Sequence, residues 1–294
     1  MVIRETTGRK VFLVFNYLFL GLVAFLCIAP MINVLAISLS SKSAAAGGLV
    51  KFWPVDFTVD SYKYALGKNE FITAFFVSIK RVILGYFINI ILAVLTAFPL
   101  SRRSTVFKWR NAYSVFFVFS IIFSGGIIPT YMLIKYLGLL DTIWALVLPS
   151  AVSVLNVILL MNFFRELPNE IEEAAFIDGA DYWKVLYSIY IPLSKPALAT
   201  VSLFILIGHW NSWFDGILYM NKMENYPLQS YLQTVIVTTV NLTMSLEEME
   251  KIQKVSDRTF KAAQVFLTAL PILMVYPFLQ KYFMKGLVLG SVKG

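Results

Sequence analysis

The sequence predicts an all-α integral membrane protein with six transmembrane helices. Of its 294 residues, 59% are hydrophobic and only 14% are charged, and the mean hydropathy is +0.74. A soluble domain usually carries about a quarter charged residues, so this composition is typical of a protein embedded in a bilayer. Crossing the hydrocarbon core takes roughly 20 apolar residues per helix. Six stretches have that length: Val11–Leu39, Val82–Leu100, Ala112–Leu137, Trp144–Phe164, Ala197–Tyr219 and Ala262–Phe283.

The first stretch is predicted to be a retained spanning helix in a single membrane domain covering residues 1–294. Arg4, Arg9 and Lys10 precede it, as in a secretory signal, but the apolar run is far longer than that of a signal and no small-residue cleavage site is evident. The single cysteine, Cys27, has no partner for a disulfide or a thiolate metal site, so we expect a packing role.

Basic residues between the spans predict the orientation. The segment Ser101–Asn111 holds four basic residues and no acid, which places it in the cytoplasm by the positive-inside rule. Alternation then puts both termini and the loop 165–196 inside, and the segments 40–71 and 221–261 outside. The net charge of +8 is therefore assigned to orientation in the membrane, and no nucleic-acid partner is predicted.

The third stretch contains a predicted break. Gly125, Gly126 and Pro129 interrupt it, and irregular backbone at membrane depth is tolerated only against protein or a water-filled cavity. Two interpretations remain open: a bend that faces a translocation path, and close packing of helices around small residues. In the last outer segment, Ser245 and Glu248 have capping-box spacing and predict a short surface helix.

The spans carry few ionisable residues, which argues against coupling to a proton or sodium gradient. His209 is interpreted as a hydrogen-bonded core histidine. No phosphate-binding loop, metalloprotease motif or nucleophile elbow occurs, so no catalytic residue and no metal site are predicted, and ATP would have to be used by another subunit. Polar and aromatic side chains that are candidates for a substrate path are Asn156, Trp210, Asn211, Trp213 and Asp215. The tryptophans have the alternative of a membrane-interface belt.

The stretch Glu172–Pro196 predicts two short helices joined by a turn. Pro168 suits a helix start, and Glu170, Glu172 and Glu173 suit the positive end of the helix dipole. Gly179 is the residue type that most readily closes a helix in the left-handed conformation. Asp181 is predicted to cap the second helix, and Pro192 and Pro196 to stop it before the fifth span.

This connection is longer than a simple hairpin between two spans requires, and small and apolar residues lie beside its acids. Such a surface suits a helix that docks into a groove of a partner protein. The residues concerned are Ala174, Ala175, Phe176, Ile177 and Ala180.

The same stretch, "EEAAFIDGADYWKVLYSIYIPLSKPAL", resembles the EAA motif of the permease subunits of bacterial ABC importers. The residues that match the motif in order are Glu173, Ala174, Ala175, Asp178, Gly179 and Ala180. Ile191 stands where the motif has leucine before a proline. "GGIIPTYMLIKYLGLLDTIWALVLPS" and "YPFLQKYFMKGLVLGSVKG" are similar to the MalG-like half of the carbohydrate-uptake branch, in the subgroup typified by LplC and YtcP.

The resemblance implies the type I ABC importer permease fold and a set of partners. These are a second, different permease, two copies of an ATPase subunit that bind ATP and Mg, an extracytoplasmic solute-binding protein, an oligosaccharide and the lipid bilayer. It implies that residues 172–180, including Glu172, enter a cleft of the ATPase subunit. It also implies that the tail reaches the ATPase interface through Gly290, Ser291, Val292, Lys293 and Gly294.

Two alternatives of other classes remain, an ion-coupled secondary carrier or channel and a membrane-embedded enzyme. The enzyme would need a nucleophile–base or metal constellation that the spans do not offer. The resemblance indicates a carbohydrate substrate, and Lys42, Lys51, Lys63 and Lys68 in the first outer segment suggest an acidic oligosaccharide.

Overall fold

The computed structural model describes residues 7–237 and 256–291, and every regular element in these ranges is a helix. This confirms the predicted all-α class. The helices are α1 (Thr7–Ser38), α2 (Lys42–Ala46), α3 (Asp60–Leu66), α4 (Asn69–Ser101), α5 (Arg110–Ile122), α6 (Ile127–Tyr136), α7 (Ile143–Val147), α8 (Val154–Glu166), α9 (Asn169–Ile177), α10 (Tyr182–Val185), α11 (Ile191–Leu193), α12 (Lys195–Asn211), α13 (Phe214–Tyr219), α14 (Leu228–Val237) and α15 (Asp257–Ser291). A π-helical turn, Leu186–Tyr190, joins α10 to α11.

Three helices are long and apolar enough to cross a membrane unbroken, namely α1, α4 and the part of α15 up to Pro277. Three further pairs meet the same criteria together but are bent. The bends are 113° between α5 and α6, 46° between α7 and α8, and 82° between the α10–α11 segment and α12. Residues 7–237 and 256–291 therefore offer up to six spans by length and composition.

The predicted break in the third span is confirmed. Helix α5 ends at Ile122 and α6 begins at Ile127, and Gly126 between them has a φ of 86°. A Cβ added at Gly126 would have no atom of the described chain within 4 Å. The left-handed backbone conformation, and not close packing, is therefore the reason for a glycine at this position. That the bend faces a translocation path stays a prediction.

The contacts divide the chain into two units, of which the first comprises the described parts of residues 1–69 and 235–270. Small side chains from the end of α1, from α2 and from α15 form its core. Ser41 caps α2 by accepting a hydrogen bond from the Ala44 amide. Arg258 donates to the Ala45 carbonyl oxygen over 3.0 Å. The core residues are Ala36, Ile37, Ala44, Ala45, Val50 and Ala262.

The second unit comprises residues 70–234 and 271–294 and holds the larger core. Residues of α4, α8, the π-helical turn and α12 meet there, and Ala175, Phe176 and Ala180 pack against them. The segment 172–180, which is predicted to enter a cleft of the ATPase subunit, therefore packs against the membrane helices. The buried residues are Ala93, Val94, Ala97, Phe98, Leu100, Val157, Leu160, Phe164, Val185, Leu186, Tyr190, Val201 and Ile205.

Asp141 holds together the turn between α6 and α7 and the segment that follows α13. Its carboxylate accepts from the amides of Asn221 and Lys222 and from the Asn225 side chain, at 3.0–3.3 Å. The hydrogen bond from Asn225 is the main cause that holds the pKa of Asp141 below its ordinary value. The backbone of Asp141 is left-handed, with φ of 60°, a conformation that aspartate tolerates better than most residues.

Two predictions fall on residues outside those described. The short helix expected at Ser245–Glu248 is one, and the Val292–Gly294 end of the predicted ATPase-contacting tail is the other. Of that tail, Gly290 and Ser291 belong to α15.

Candidate functional site

The first docking helix, α9, ends as its sequence predicts. Gly179 has a φ of 79°, and the Ala180 amide donates to the Ala175 carbonyl oxygen over 2.9 Å. The Gly179 amide donates to the Phe176 carbonyl oxygen over 3.0 Å. This pair of bonds is a Schellman motif, which satisfies the last carbonyl groups of the helix and needs a left-handed residue at its exit. The turn predicted from Gly179 is confirmed.

Helix α9 has an outward and an inward face. Glu173, Ala174 and Asp178 are exposed, and Ile177 is 86% exposed, an unusual state for a large aliphatic side chain. A helix surface that combines acids with an uncovered isoleucine is the kind that a groove on another protein accommodates.

Glu172 lies on the inward face, unlike its neighbour Glu173. One carboxylate oxygen of Glu172 forms an ion pair with the Arg102 guanidinium and accepts a hydrogen bond of 2.7 Å from the Tyr190 hydroxyl. The side chains of Arg102 and Glu172 are only 8% and 13% exposed. Glu172 therefore holds α9 against α4 and the π-helical turn, and its contribution to any docking surface is indirect.

Arg102 is enclosed by aromatic rings as well. Its guanidinium carbon lies 4.5 Å from the centre of the Phe98 ring and 4.3 Å from that of Tyr190. Planar guanidinium groups stack favourably on aromatic faces. In the sequence Arg102 indicates only orientation, and its structural role has no local signal because Glu172 follows 70 residues later.

The second docking helix begins and ends where the sequence predicts. The Asp181 side chain accepts from the Lys184 amide over 2.7 Å, which confirms the cap. The helix continues through the π-helical turn and α11 to Leu193, and a bend of 82° separates it from α12, so it stops before the fifth span. Pro192 lies inside the last turn of this helix and does not itself end it. Pro196 lies in the first turn of α12, where the missing amide costs no hydrogen bond.

The carboxylate of Asp215, a candidate for the substrate path, is ion-paired and hydrogen-bonded within this chain. Both its oxygens pair with the guanidinium of Arg81, whose side chain is 2% exposed. The hydroxyl of Ser212 and the amide of Gly216 donate to the same carboxylate at 2.8 and 3.0 Å. These donors satisfy the hydrogen-bonding capacity of the Asp215 carboxylate. Its ion pair with Arg81 therefore links α4 to the α12–α13 junction.

The other path candidates lie in different environments. Asn156 and Trp210 are each 5% exposed, and Trp210 packs edge-on against Phe75. Asn211 and Trp213 are exposed. The structure therefore does not bring the five candidates into one surface of this chain, and a role in contacting substrate stays a prediction.

The interpretation of His209 as a hydrogen-bonded core histidine is confirmed. It is buried, and the Asn89 side-chain amide lies 3.1 Å from its ring nitrogen Nε2. The same amide nitrogen donates to the Gly85 carbonyl oxygen over 2.9 Å. A Cβ added at Gly85 would lie 2.3 Å from Nε2 of His209, so the absence of a side chain there permits the contact.

No group of three or more histidine, cysteine, aspartate or glutamate side chains within residues 7–237 and 256–291 has an arrangement that could hold a metal ion.

Similarity to known proteins extends over nearly the whole chain, although no protein-family model matches the sequence. It is 40% identical over 290 residues to protein LplC of Bacillus subtilis (strain 168), covering 99% of this chain and 97% of LplC. It is 36% identical over 286 residues to the polygalacturonan/rhamnogalacturonan transport system permease protein YtcP of the same organism, covering 97% and 99%.

A solved structure is similar over the same extent. The chain matches one from a bacterial ABC transporter involved in the import of the acidic polysaccharide alginate, with a TM-score of 0.87 and 31% identity. The match covers 96% of this chain and 100% of that one.

Proposed function

The chain belongs to the permease subunits of carbohydrate ABC transporters, and from this premise we propose that it forms half of the translocation path of an ATP-driven oligosaccharide importer. The other half is a second, different permease. Two copies of an ATPase subunit bind and hydrolyse ATP with Mg, and an extracytoplasmic solute-binding protein delivers the substrate. This subunit itself carries no catalytic role in the proposal.

The observation that carries this proposal is the TM-score of 0.87 to an importer permease over 96% of the chain. The shape of α9 supports the coupling role. Its outward face presents Glu173, Ala174, Ile177 and Asp178 to the surroundings, while its inward face is fixed to the membrane helices. A helix held in this way transmits a movement of the ATPase subunit to the spans.

We propose that the substrate is an acidic oligosaccharide. The named relative YtcP belongs to a polygalacturonan/rhamnogalacturonan system, and the similar solved transporter imports alginate. In the first outer segment Lys42, Lys51 and Lys63 are exposed, and Lys68 lies 5.2 Å from the centre of the Tyr64 ring. Exposed cations attract an anionic ligand at long range, an effect that salt screens.

The proposed location is the bacterial inner membrane, with both termini and α9 in the cytoplasm. The basic run 101–111 supports this orientation. With Cys27→Ala as background, Thr105→Cys should react with an impermeant thiol reagent only after the inner face is opened. Labelling of that position in intact cells would reverse the assignment.

The test of function is ATP hydrolysis by the reconstituted importer in the presence of its solute-binding protein. Binding protein loaded with an oligogalacturonate or an alginate oligomer should stimulate hydrolysis, whereas a neutral malto-oligosaccharide should not. Stimulation by the neutral sugar alone would contradict the acidic substrate. Transport driven by a proton gradient without ATP would support the carrier alternative, which the named relatives do not favour.

Two glycines offer a matched pair for the coupling role. Gly179 and Gly138 both have left-handed backbone, with φ of 79° and 67°, and both have open space around a new Cβ. Alanine at either position costs about 1–2 kcal/mol of backbone strain. Gly179→Ala should reduce stimulated ATP hydrolysis, whereas Gly138→Ala, at the turn after α6, should not. Equal effects of the two changes would remove α9 from the coupling path.

A further inference from the structure

A basic cleft of about 570 Å³ opens beside α9. Four arginines and two glutamates are among its lining residues, and one arginine–glutamate pair, Arg102 with Glu172, is already neutralised within the chain. Of the remaining charged residues, Arg103, Arg110 and Arg165 outnumber the one acid, Glu173, so the cleft keeps an excess of positive charge.

These three arginines have no carboxylate partner among the described residues. Arg165 donates to the Leu100 carbonyl oxygen over 3.0 Å, which leaves its charge uncompensated. Partial desolvation and, to a lesser extent, the nearby charge of Arg110 lower the pKa of the Arg165 guanidinium. The Nε of Arg110 is buried without a hydrogen-bond partner. Arg103 and Arg165 are exposed and Arg110 is partly exposed, so their charges are accessible to an anion that enters the cleft, and such an anion could also accept a hydrogen bond from the buried Nε of Arg110. Guanidinium groups are particularly suited to the oxygens of phosphate.

An apolar groove of about 380 Å³ adjoins the cleft and shares Arg102, Val106 and Tyr182 with it. The groove is otherwise apolar, and its exposed edge includes Trp183, which is 64% exposed. Its remaining lining residues are Leu95, Phe98, Pro99, Phe107 and Leu186. A ligand that fills both spaces carries a negative charge at one end and hydrocarbon at the other.

We propose that the cleft and the groove together bind one anionic phospholipid. Its phosphate lies among Arg103, Arg110 and Arg165, and an acyl chain runs along the groove past Trp183. This inference rests on the proposed inward orientation, because the cytoplasmic leaflet is rich in anionic lipids and basic pockets between membrane helices on that side bind their headgroups. An acidic side chain of the ATPase subunit or free phosphate would satisfy the arginines but would leave the groove empty.

The site has a consequence for transport. Arg102, which is paired with Glu172, lines the cleft together with residues of α9. A bound lipid therefore stabilises the surface on which α9 rests, and the efficiency of coupling should depend on the anionic lipid content of the membrane.

The experiment uses the whole importer in nanodiscs of phosphatidylcholine with increasing phosphatidylglycerol. Stimulated ATP hydrolysis should rise with phosphatidylglycerol in the wild type. Arg110→Gln combined with Arg165→Gln should require at least about tenfold more of it, because two guanidinium groups that line the cleft lose their charge-assisted hydrogen bonds to the phosphate. Lys108→Gln, which removes an exposed charge from the same loop, is the control and should leave the dependence unchanged.

Native mass spectrometry of the complex supplies the second measurement. The wild-type complex should retain bound phosphatidylglycerol. Val106→Glu, which changes a residue that lines both the cleft and the groove, should release it. Inorganic phosphate or soluble glycerol phosphate that restores hydrolysis in neutral nanodiscs would overturn the proposal in favour of a free anion. Loss of the ATPase subunit from the double arginine variant with lipid retained would overturn it in favour of a protein contact. Stimulation of hydrolysis by loaded binding protein at the highest phosphatidylglycerol content tests the proposed function separately, because its absence there would contradict the importer itself.

Discussion

Replacing Glu172 by glutamine should loosen α9 from the membrane helices. Glu172 and Arg102 are 13% and 8% exposed, so the change leaves a largely buried guanidinium without its counter-charge. Breaking a buried ion pair by removing one partner costs about 3–5 kcal/mol. The glutamine oxygen still accepts from the Tyr190 hydroxyl, so the cost falls toward about 2 kcal/mol. That value raises the local opening equilibrium of α9 roughly thirtyfold.

The assay is amide hydrogen exchange over α9 in the permease pair without its ATPase subunits, where the outward face of α9 is uncovered, together with stimulated ATP hydrolysis by the assembled importer. Glu173→Gln is the matched control, because Glu173 is exposed and has no ion pair among the described residues. Glu172→Gln should accelerate exchange about thirtyfold and lower coupled hydrolysis, whereas Glu173→Gln should leave exchange unchanged. Replacing both Arg102 and Glu172 by methionine should recover much of the protection, since a buried pair can be exchanged for apolar groups at little cost. Equal exchange in the two single variants would refute the assignment of Glu172 to the inward face.

Three further outcomes are expected. Gly85→Ala should destabilise the protein by about 1–3 kcal/mol because its Cβ would lie 2.3 Å from Nε2 of His209. Thermal unfolding measures this, and Gly208→Ala, with open space around its Cβ, should not destabilise. Asp141→Asn should lower the unfolding temperature at pH 7. The difference from wild type should shrink as the pH falls through the lowered pKa of Asp141, because stability from a depressed carboxyl pKa is lost on protonation. Deleting Gly290–Gly294 should reduce coupled ATP hydrolysis and leave co-purification of the subunits intact, whereas unchanged turnover would make the tail dispensable.

Features that depend on local backbone chemistry could be predicted from the sequence. Gly179 closes α9 and Asp181 caps α10 because both effects act over a few residues. The break at Gly125 and Gly126 follows from the same kind of signal. The all-helical membrane class follows from the lengths of the apolar runs, which the bilayer thickness dictates.

Features that depend on distant partners could not be predicted. Arg102 and Glu172 are 70 residues apart, and Arg81 and Asp215 are 134 apart, so neither pairing has a local pattern. The end of the α10–α11 helix before the fifth span could be predicted, but the π-helical turn that carries the helix past Pro192 to Leu193 has no sequence signal. The sequence also does not show which of two adjacent glutamates faces the core. In the structure Glu172 lies on the inward face of α9 and Glu173 on the outward face.

The proposed docking of α9 into the ATPase subunit is tested most directly by cross-linking. In a Cys27→Ala background, Ile177→Cys places a thiol on the outward face, and Phe176→Cys places one on the inward face. A short bifunctional thiol reagent should join position 177 to a cysteine introduced in the ATPase groove and abolish stimulated hydrolysis, while position 176 should remain unlinked. Linkage through position 176 with none through 177 would contradict the account.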